Sequence, residues 1–173
     1  MIVEGTHTFA APKDRVFALL LDPEVMVKAM PGAKDLKRTA DDRYEGLIKI
    51  GVGPITAAEF TLVVTLREMD PPRRYAMDID STGRFGFTRG VASVELADGG
   101  APDCTTMIYR ADLNVGGKIA GVGQRLLDSI SRLMTRQGLE ALSAELEKRL
   151  AQPPAPAVDP PTPPPPPGAP PAS

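Results

Sequence analysis

Residues 118–150 read KIAGVGQRLLDSISRLMTRQGLEALSAELEKRL. Ile119, Val122, Leu126, Ile130, Leu133 and Met134 recur at helical spacing, and Leu142 and Leu146 continue the stripe. Arg125, Asp128, Arg132, Arg136 and Glu147 lie off it. The pattern predicts one amphipathic helix from Lys118 to about Leu150, on the order of 48 Å long. A lone helix of that length needs a large surface on which to bury its stripe.

The sequence before it supplies that surface. From about residue 33 to 115 apolar and polar residues alternate in successive short runs. Tyr44, Gly46, Ile48, Ile50 and Val52 alternate with Glu45 and Lys49. Phe60 to Leu66 is almost wholly apolar or Thr. Tyr75, Met77 and Ile79 alternate with Ala76, Asp78 and Asp80; Ala92, Val94 and Leu96 with Ser93 and Glu95; Met107, Tyr109, Ala111, Leu113 and Val115 with Arg110, Asp112 and Asn114. Period-two alternation with hairpin-sized gaps predicts an antiparallel meander of six strands, because parallel units need a helix between strands. Gly116-Gly117 closes the run.

Toward the amino terminus, Val3, Gly5, His7 and Phe9 share one face of a further strand. Ala11-Pro12 ends it, with Pro12 suited to the first turn of a helix over 13–21. Asp22-Pro23 predicts an N-cap and N1 for a second short helix to about Lys28, and Pro31-Gly32 a turn. The fold class is therefore α+β: a curved seven-stranded antiparallel sheet gripping a long C-terminal helix, with two short helices after the first strand. Such a sheet curls too widely for one helix to fill, so a cavity is expected between them.

Composition narrows the function. The chain has 173 residues, 20 Lys+Arg and 22 Asp+Glu, and a formal net charge of −2. This balance argues against nucleic acid, which requires a basic face. One cysteine, Cys104, and one histidine, His7, exclude a disulfide framework and leave too few ligands for a structural zinc. The amino terminus has no basic n-region or long apolar h-region, and the longest apolar run, Val16 to Leu21, is far short of a bilayer span. The expectation is a soluble domain of a reducing compartment over residues 1–150.

Residues 151–173 hold 12 of the 19 prolines and one charge, Asp159. This tail cannot build a core and is expected to be a disordered, extended spacer that contributes nothing to folding or ligand affinity. A spacer needs something at both ends, so the chain is expected to continue past Ser173.

No phosphate loop or catalytic constellation emerges. Gly51-Val52-Gly53-Pro54 precedes a strand rather than a helix, and Gly116-Gly117-Lys118 is followed by Ile119 where a Walker loop has Ser or Thr. His7 reads as an inward, hydrogen-bonded core residue and Cys104 as inert. An enzyme acting in the cavity would need converging polar groups, and only His7, Tyr109 and Glu59 offer themselves. The remaining candidate site is apolar. Met26, Met30, Met77, Met107 and Met134 suit an adaptable lining for a greasy ligand. On shared inward faces the predicted lining is Phe17 from the first helix, Met26, Met30 and Pro31 from the second and its turn, and Ile48, Ile50, Met77, Val94, Met107, Tyr109 and Leu113 from the strands. Val122, Leu126 and Ile130 complete it from the long helix. The Met30-Pro31-Gly32 turn is expected at the rim. No catalytic residue and no metal ligand is assigned.

Four segments carry a resemblance to a known family: LLLDPEVMVKAMPGAKDL at 19–36, GVGPI at 51–55, DPPRRY at 70–75 and GGKIAGVGQRLLD at 116–128. In this order they resemble the G-subunit family of carbon monoxide dehydrogenase, over about residues 2–149. The resemblance implies a START-like, helix-grip fold, whose members mostly bind hydrophobic ligands between sheet and helix. It also implies a non-enzymatic accessory to a molybdenum carbon monoxide dehydrogenase, with no covalent cofactor and a respiratory quinone, menaquinone or ubiquinone, as bound ligand. The place implied is the cytoplasm, peripheral at the inner face of the cell membrane, with attachment through a segment missing from this chain. Some members carry an apolar anchor after a variable linker; this chain shows the linker alone. The alternative is a recruitment or assembly adaptor for the dehydrogenase without ligand transport.

Overall fold

A computed structural model describes residues 1–152; the proline-rich tail expected over 151–173 lies outside the described residues apart from Ala151 and Gln152. The chain runs β1 (Ile2–Phe9), α1 (Lys13–Leu20), α2 (Pro23–Ala29), β2 (Ala33–Ala40), β3 (Arg43–Val52), β4 (Ile55–Asp70), β5 (Arg74–Gly83), β6 (Gly86–Asp98) and β7 (Thr105–Gly116). A short 3-10 helix (Lys118–Val122) and α3 (Gln124–Ala151) follow. The seven strands form one sheet in the order β1-β7-β6-β5-β4-β3-β2, every pair antiparallel. The meander is as the alternation predicts, and β1 returns to pair with β7.

Local chemistry explains the turns into the helices. Asp22 caps α2, its Oδ1 accepting the Glu24 N–H at 2.9 Å, and Pro23 opens the first turn, where its missing N–H costs nothing. Pro12 sits one place earlier than expected, at the N-cap of α1, where its extended ψ of 155° lets its carbonyl accept from Val16. The alternating residues named for β1, β3, β5, β6 and β7 face the concave side, where α1 and α2 cover one part and α3 another. Tyr44, fully buried, donates its hydroxyl to the Leu21 carbonyl at 2.7 Å and ties β3 to the α1–α2 junction.

One expectation needs correction. The helix predicted to run unbroken from Lys118 is interrupted: Gly123 has φ +94° and ψ 149°, between the 3-10 segment and α3. A residue with a Cβ is strained at that φ, and the break resets the helical phase. The two parts of α3 also differ. Its buried residues, Gly138, Leu142, Glu145 and Leu146, all lie in the C-terminal half. Leu126, Leu127, Ile130 and Met134 in the first half are only half-buried.

Candidate functional site: an apolar cavity and a polar cleft

The half-buried stretch of α3 roofs a cavity of about 430 Å³. Its floor is the concave sheet: Ile48, Ile50 and Val52 of β3, Leu62 of β4, Ile79 of β5, and Met107, Tyr109, Ala111, Leu113 and Val115 of β7. Leu127, Ile130, Met134 and Leu139 of α3 form the roof, and Met30 and Pro31 close one end. The hollow has a local cause. Several inward positions at mid-sheet carry small residues: Ser81, Thr88 and Ala111 in the wall, with Ala92 paired beside Ala111. The side chains that would have filled the space are missing, and the sheet curvature keeps α3 away.

Of the fourteen residues read as a lining, eight wall this cavity: Met30, Pro31, Ile48, Ile50, Met107, Tyr109, Leu113 and Ile130. The other six do not. Phe17 packs edge-on against Tyr75 at 5.6 Å, and Val94 lies buried in the row Tyr75–Val94–Tyr109. Met26 and Met77 are half-buried and pack against the buried core outside the cavity wall. Phe17, Met77 and Val94 face inward, but α1, through Phe17 on Tyr75, packs on that part of the sheet. Val122 and Leu126 approach Gly53 in the β3–β4 turn instead: they lie at the start of the helical region, beyond the end of the cavity that Leu127 and Ile130 roof. The stripe that does face the cavity runs through Leu127, Ile130, Met134 and Leu139. Val3, Ile79, Ala111, Val115 and Met134 lie on faces that alternation and helical spacing already mark; Met1 carried no such signal.

A second space, about 700 Å³, opens between β1 and α3 and is polar: Glu4 and His7 face Asp128, Arg132, Arg136 and Glu140. Val3, Tyr109, Ser131, Thr135 and Leu139 belong to both walls, so the two spaces meet there. His7 is half-buried, hydrogen-bonds Ser143 Oγ through Nε2 at 2.8 Å and sets its ring edge-on to Phe9 at 4.7 Å. It is the hydrogen-bonded inward histidine its strand position predicts. Glu59 is not part of any polar convergence: it is exposed on the outer face opposite Lys49. Cys104 is half-buried in the β6–β7 connection. Among the described residues no three His, Cys, Asp or Glu side chains cluster as a metal site, and no helix is long and apolar enough to cross a membrane.

Ion pairs hold the far end of α3. Glu145 lies between Lys28 of α2 and Lys148, 3.0 Å from each ammonium, and hydrogen bonds from Lys28 first and Lys148 second hold its carboxyl below the usual carboxylate range. Arg149 pairs with Asp22. Burial works to raise the Asp22 pKa, but bonds from Arg149 and the Glu24 and Val25 amides together bring it below its ordinary value.

A curled antiparallel sheet gripping a C-terminal helix over an apolar hollow defines the START-like, helix-grip class. Solved structures agree on this fold. A conserved protein from Geobacillus kaustophilus superposes with a TM-score of 0.79 at 24% identity, over 86% of this chain and 96% of that one. The Zhui aromatase/cyclase from Streptomyces sp. R1128 does so with 0.65 at 17%, over 87% and 95%. Protein CV1439 from Chromobacterium violaceum gives 0.60 at 15%, over 84% and 97%. No curated protein matches in sequence. The family model for the carbon monoxide dehydrogenase G-subunit, CoxG, matches residues 5–147, and the chain belongs to that family.

Proposed function

We propose that the protein is a non-enzymatic carrier that binds a respiratory quinone, or a similarly long hydrophobic lipid, in the sheet–helix cavity. In this reading it links a molybdenum carbon monoxide dehydrogenase to the membrane electron-transport chain, working at the inner face of the cell membrane. The observation that carries the reading is the cavity: about 430 Å³, walled mostly by aliphatic and methionine side chains, and roofed largely by the less buried half of one helix. An isoprenoid tail is insoluble, and each Å² of its surface buried there contributes roughly 25 cal/mol toward leaving the bilayer. Membership of the CoxG family, which is named for the dehydrogenase, supports the partner. The outward position of Glu59 removes one of three polar groups a catalytic cavity would have called on.

The test is transfer. The protein is incubated with vesicles containing menaquinone, separated from them and examined by native mass spectrometry. A bound menaquinone mass is expected. Protein that emerges ligand-free yet still associates with the dehydrogenase would overturn the carrier and leave the adaptor.

A further inference from the structure

We infer that the hydroxyls of Tyr109, Ser131 and Thr135 form a polar neck between cavity and cleft, and that this neck holds the oxygenated head of an amphiphile, as quinone or quinol, while its tail lies in the cavity. The inference rests on the carrier reading and adds the orientation of the cargo and the groups that recognise it.

The neck follows from placement. Of the residues that wall both spaces, Val3 and Leu139 are apolar and the other three carry hydroxyls. Ser131 and Thr135 are one helical turn apart on α3, facing β1 and β7 across the gap. Tyr109 arrives from β7, and its place depends on its cross-strand partner, Gly5. A Cβ on Gly5 would stand 2.5 Å from the Tyr109 hydroxyl oxygen and 2.9 Å from the ring carbon that bears it. The tyrosine thus lies over the glycine, and its hydroxyl reaches the β1 side, between Val3 and His7.

The hydrogen-bonding inventory fits this role. Among the described residues, the Tyr109 and Thr135 hydroxyls make no hydrogen bond to protein, and Ser131 donates to the Asp128 carbonyl at 3.1 Å. Tyr109 and Thr135 are therefore free to donate to a quinone carbonyl, and all three oxygens are free to accept from a quinol hydroxyl. A carrier must hold one redox form on the outward journey and the other on the return, and hydroxyls serve both because they donate or accept by rotating one bond. The charged groups stand farther out in the cleft. Glu4 is paired with Arg110, Asp128 accepts from Gln124 at 2.7 Å, and Arg132 and Arg136 are exposed. A neutral head meets neutral donors first.

The experiment compares three probes that share a ten-carbon tail: decylubiquinone, decylubiquinol and decylbenzene, whose ring has no oxygen. Each is partitioned between vesicles and the full chain and quantified by mass spectrometry. Tyr109→Phe and, independently, Thr135→Val are expected to weaken decylubiquinone and decylubiquinol by roughly three- to tenfold, the loss of one hydrogen bond, and to leave decylbenzene unchanged. Equal loss of all three probes in both variants would assign these side chains to shape alone and overturn the inference. So would full retention of both oxygenated probes. In either case the carrier reading would survive, because the wild-type chain would still bind. Wild-type protein that takes up no probe would overturn both.

Discussion

Gly138 in α3 offers a substitution whose sign depends on one contact. In an ordinary helix interior, Gly→Ala stabilises by about 1 kcal/mol, because alanine loses less backbone freedom on folding. Gly138, however, is buried where α3 meets α2, and a Cβ there would lie 2.5 Å from the carbonyl oxygen of Ala29. Ordinary contact begins at 3.4 Å, so the neighbour must retreat by about 0.9 Å. That neighbour is backbone in the last turn of α2, which cannot swing aside as a side chain could. Overpacking of this kind costs about 1–3 kcal/mol, which offsets the propensity gain and in most of the range exceeds it. Gly138→Ala is expected to lower unfolding stability by about 1 kcal/mol in urea titration, with an unchanged dependence on denaturant. A variant more stable than wild type by about 1 kcal/mol would refute the close approach of the two helices and with it the clamp that holds the roof.

Glu145 gives a pH test. Its folded pKa lies below its ordinary value, so its contribution is present above the unfolded pKa and is lost as pH falls through the folded one. Glu145→Gln should therefore unfold at lower temperature than wild type near neutrality, and the two curves should converge in acid; a gap that persists at pH 2 would refute the assignment to Lys28 and Lys148. Ala111 tests the hollow itself. Ala111→Leu adds three carbons to a wall of the cavity and is expected to raise the melting temperature of the ligand-free protein while weakening decylubiquinone uptake, whereas a lowered melting temperature would show the site already packed.

Much of this was legible because it depends on local rules. Alternation placed Tyr44, Ile48, Met107 and Leu113 on the inner face, and Asp22-Pro23 marked the start of α2. Two things were not. Alternation assigns a face but not a position along the sheet, so it cannot separate Met77 and Val94, on whose part of the sheet α1 packs, from Met107, which walls the cavity. The helical stripe is also not one helix: the positive φ of Gly123 separates Ile119 and Val122 from the rest. Val122 precedes the break, and Leu126, although in phase with Ile130, sits one turn nearer the helix start, over Gly53 rather than over the hollow. Gly121-Val122-Gly123 is the sequence feature at the break, since a glycine near a helix start accommodates a positive φ that other residues rarely adopt.

The hollow sets the terms on which the rest of the fold is built. An apolar hollow of about 430 Å³ leaves the side chains around it without packing partners on one side, contacts that a filled core would have made. A roof helix held only by side chains over that void would collapse into it. The distribution of contacts along α3 answers this. Its C-terminal half is fixed by the Gly138–Ala29 approach, by Glu145 between two lysines, by Ser143 on His7 and by Arg149 on Asp22, which itself caps α2. The N-terminal half, reached through the Gly123 break, has no buried residue of its own. Leverage from the fixed half holds the other half off the sheet, and the small side chains at Ser81, Thr88 and Ala111 give it nothing to fall onto. Stability is thereby concentrated at one end of α3 and left lower at the other, the division that the proposed carrier would need in an element that opens.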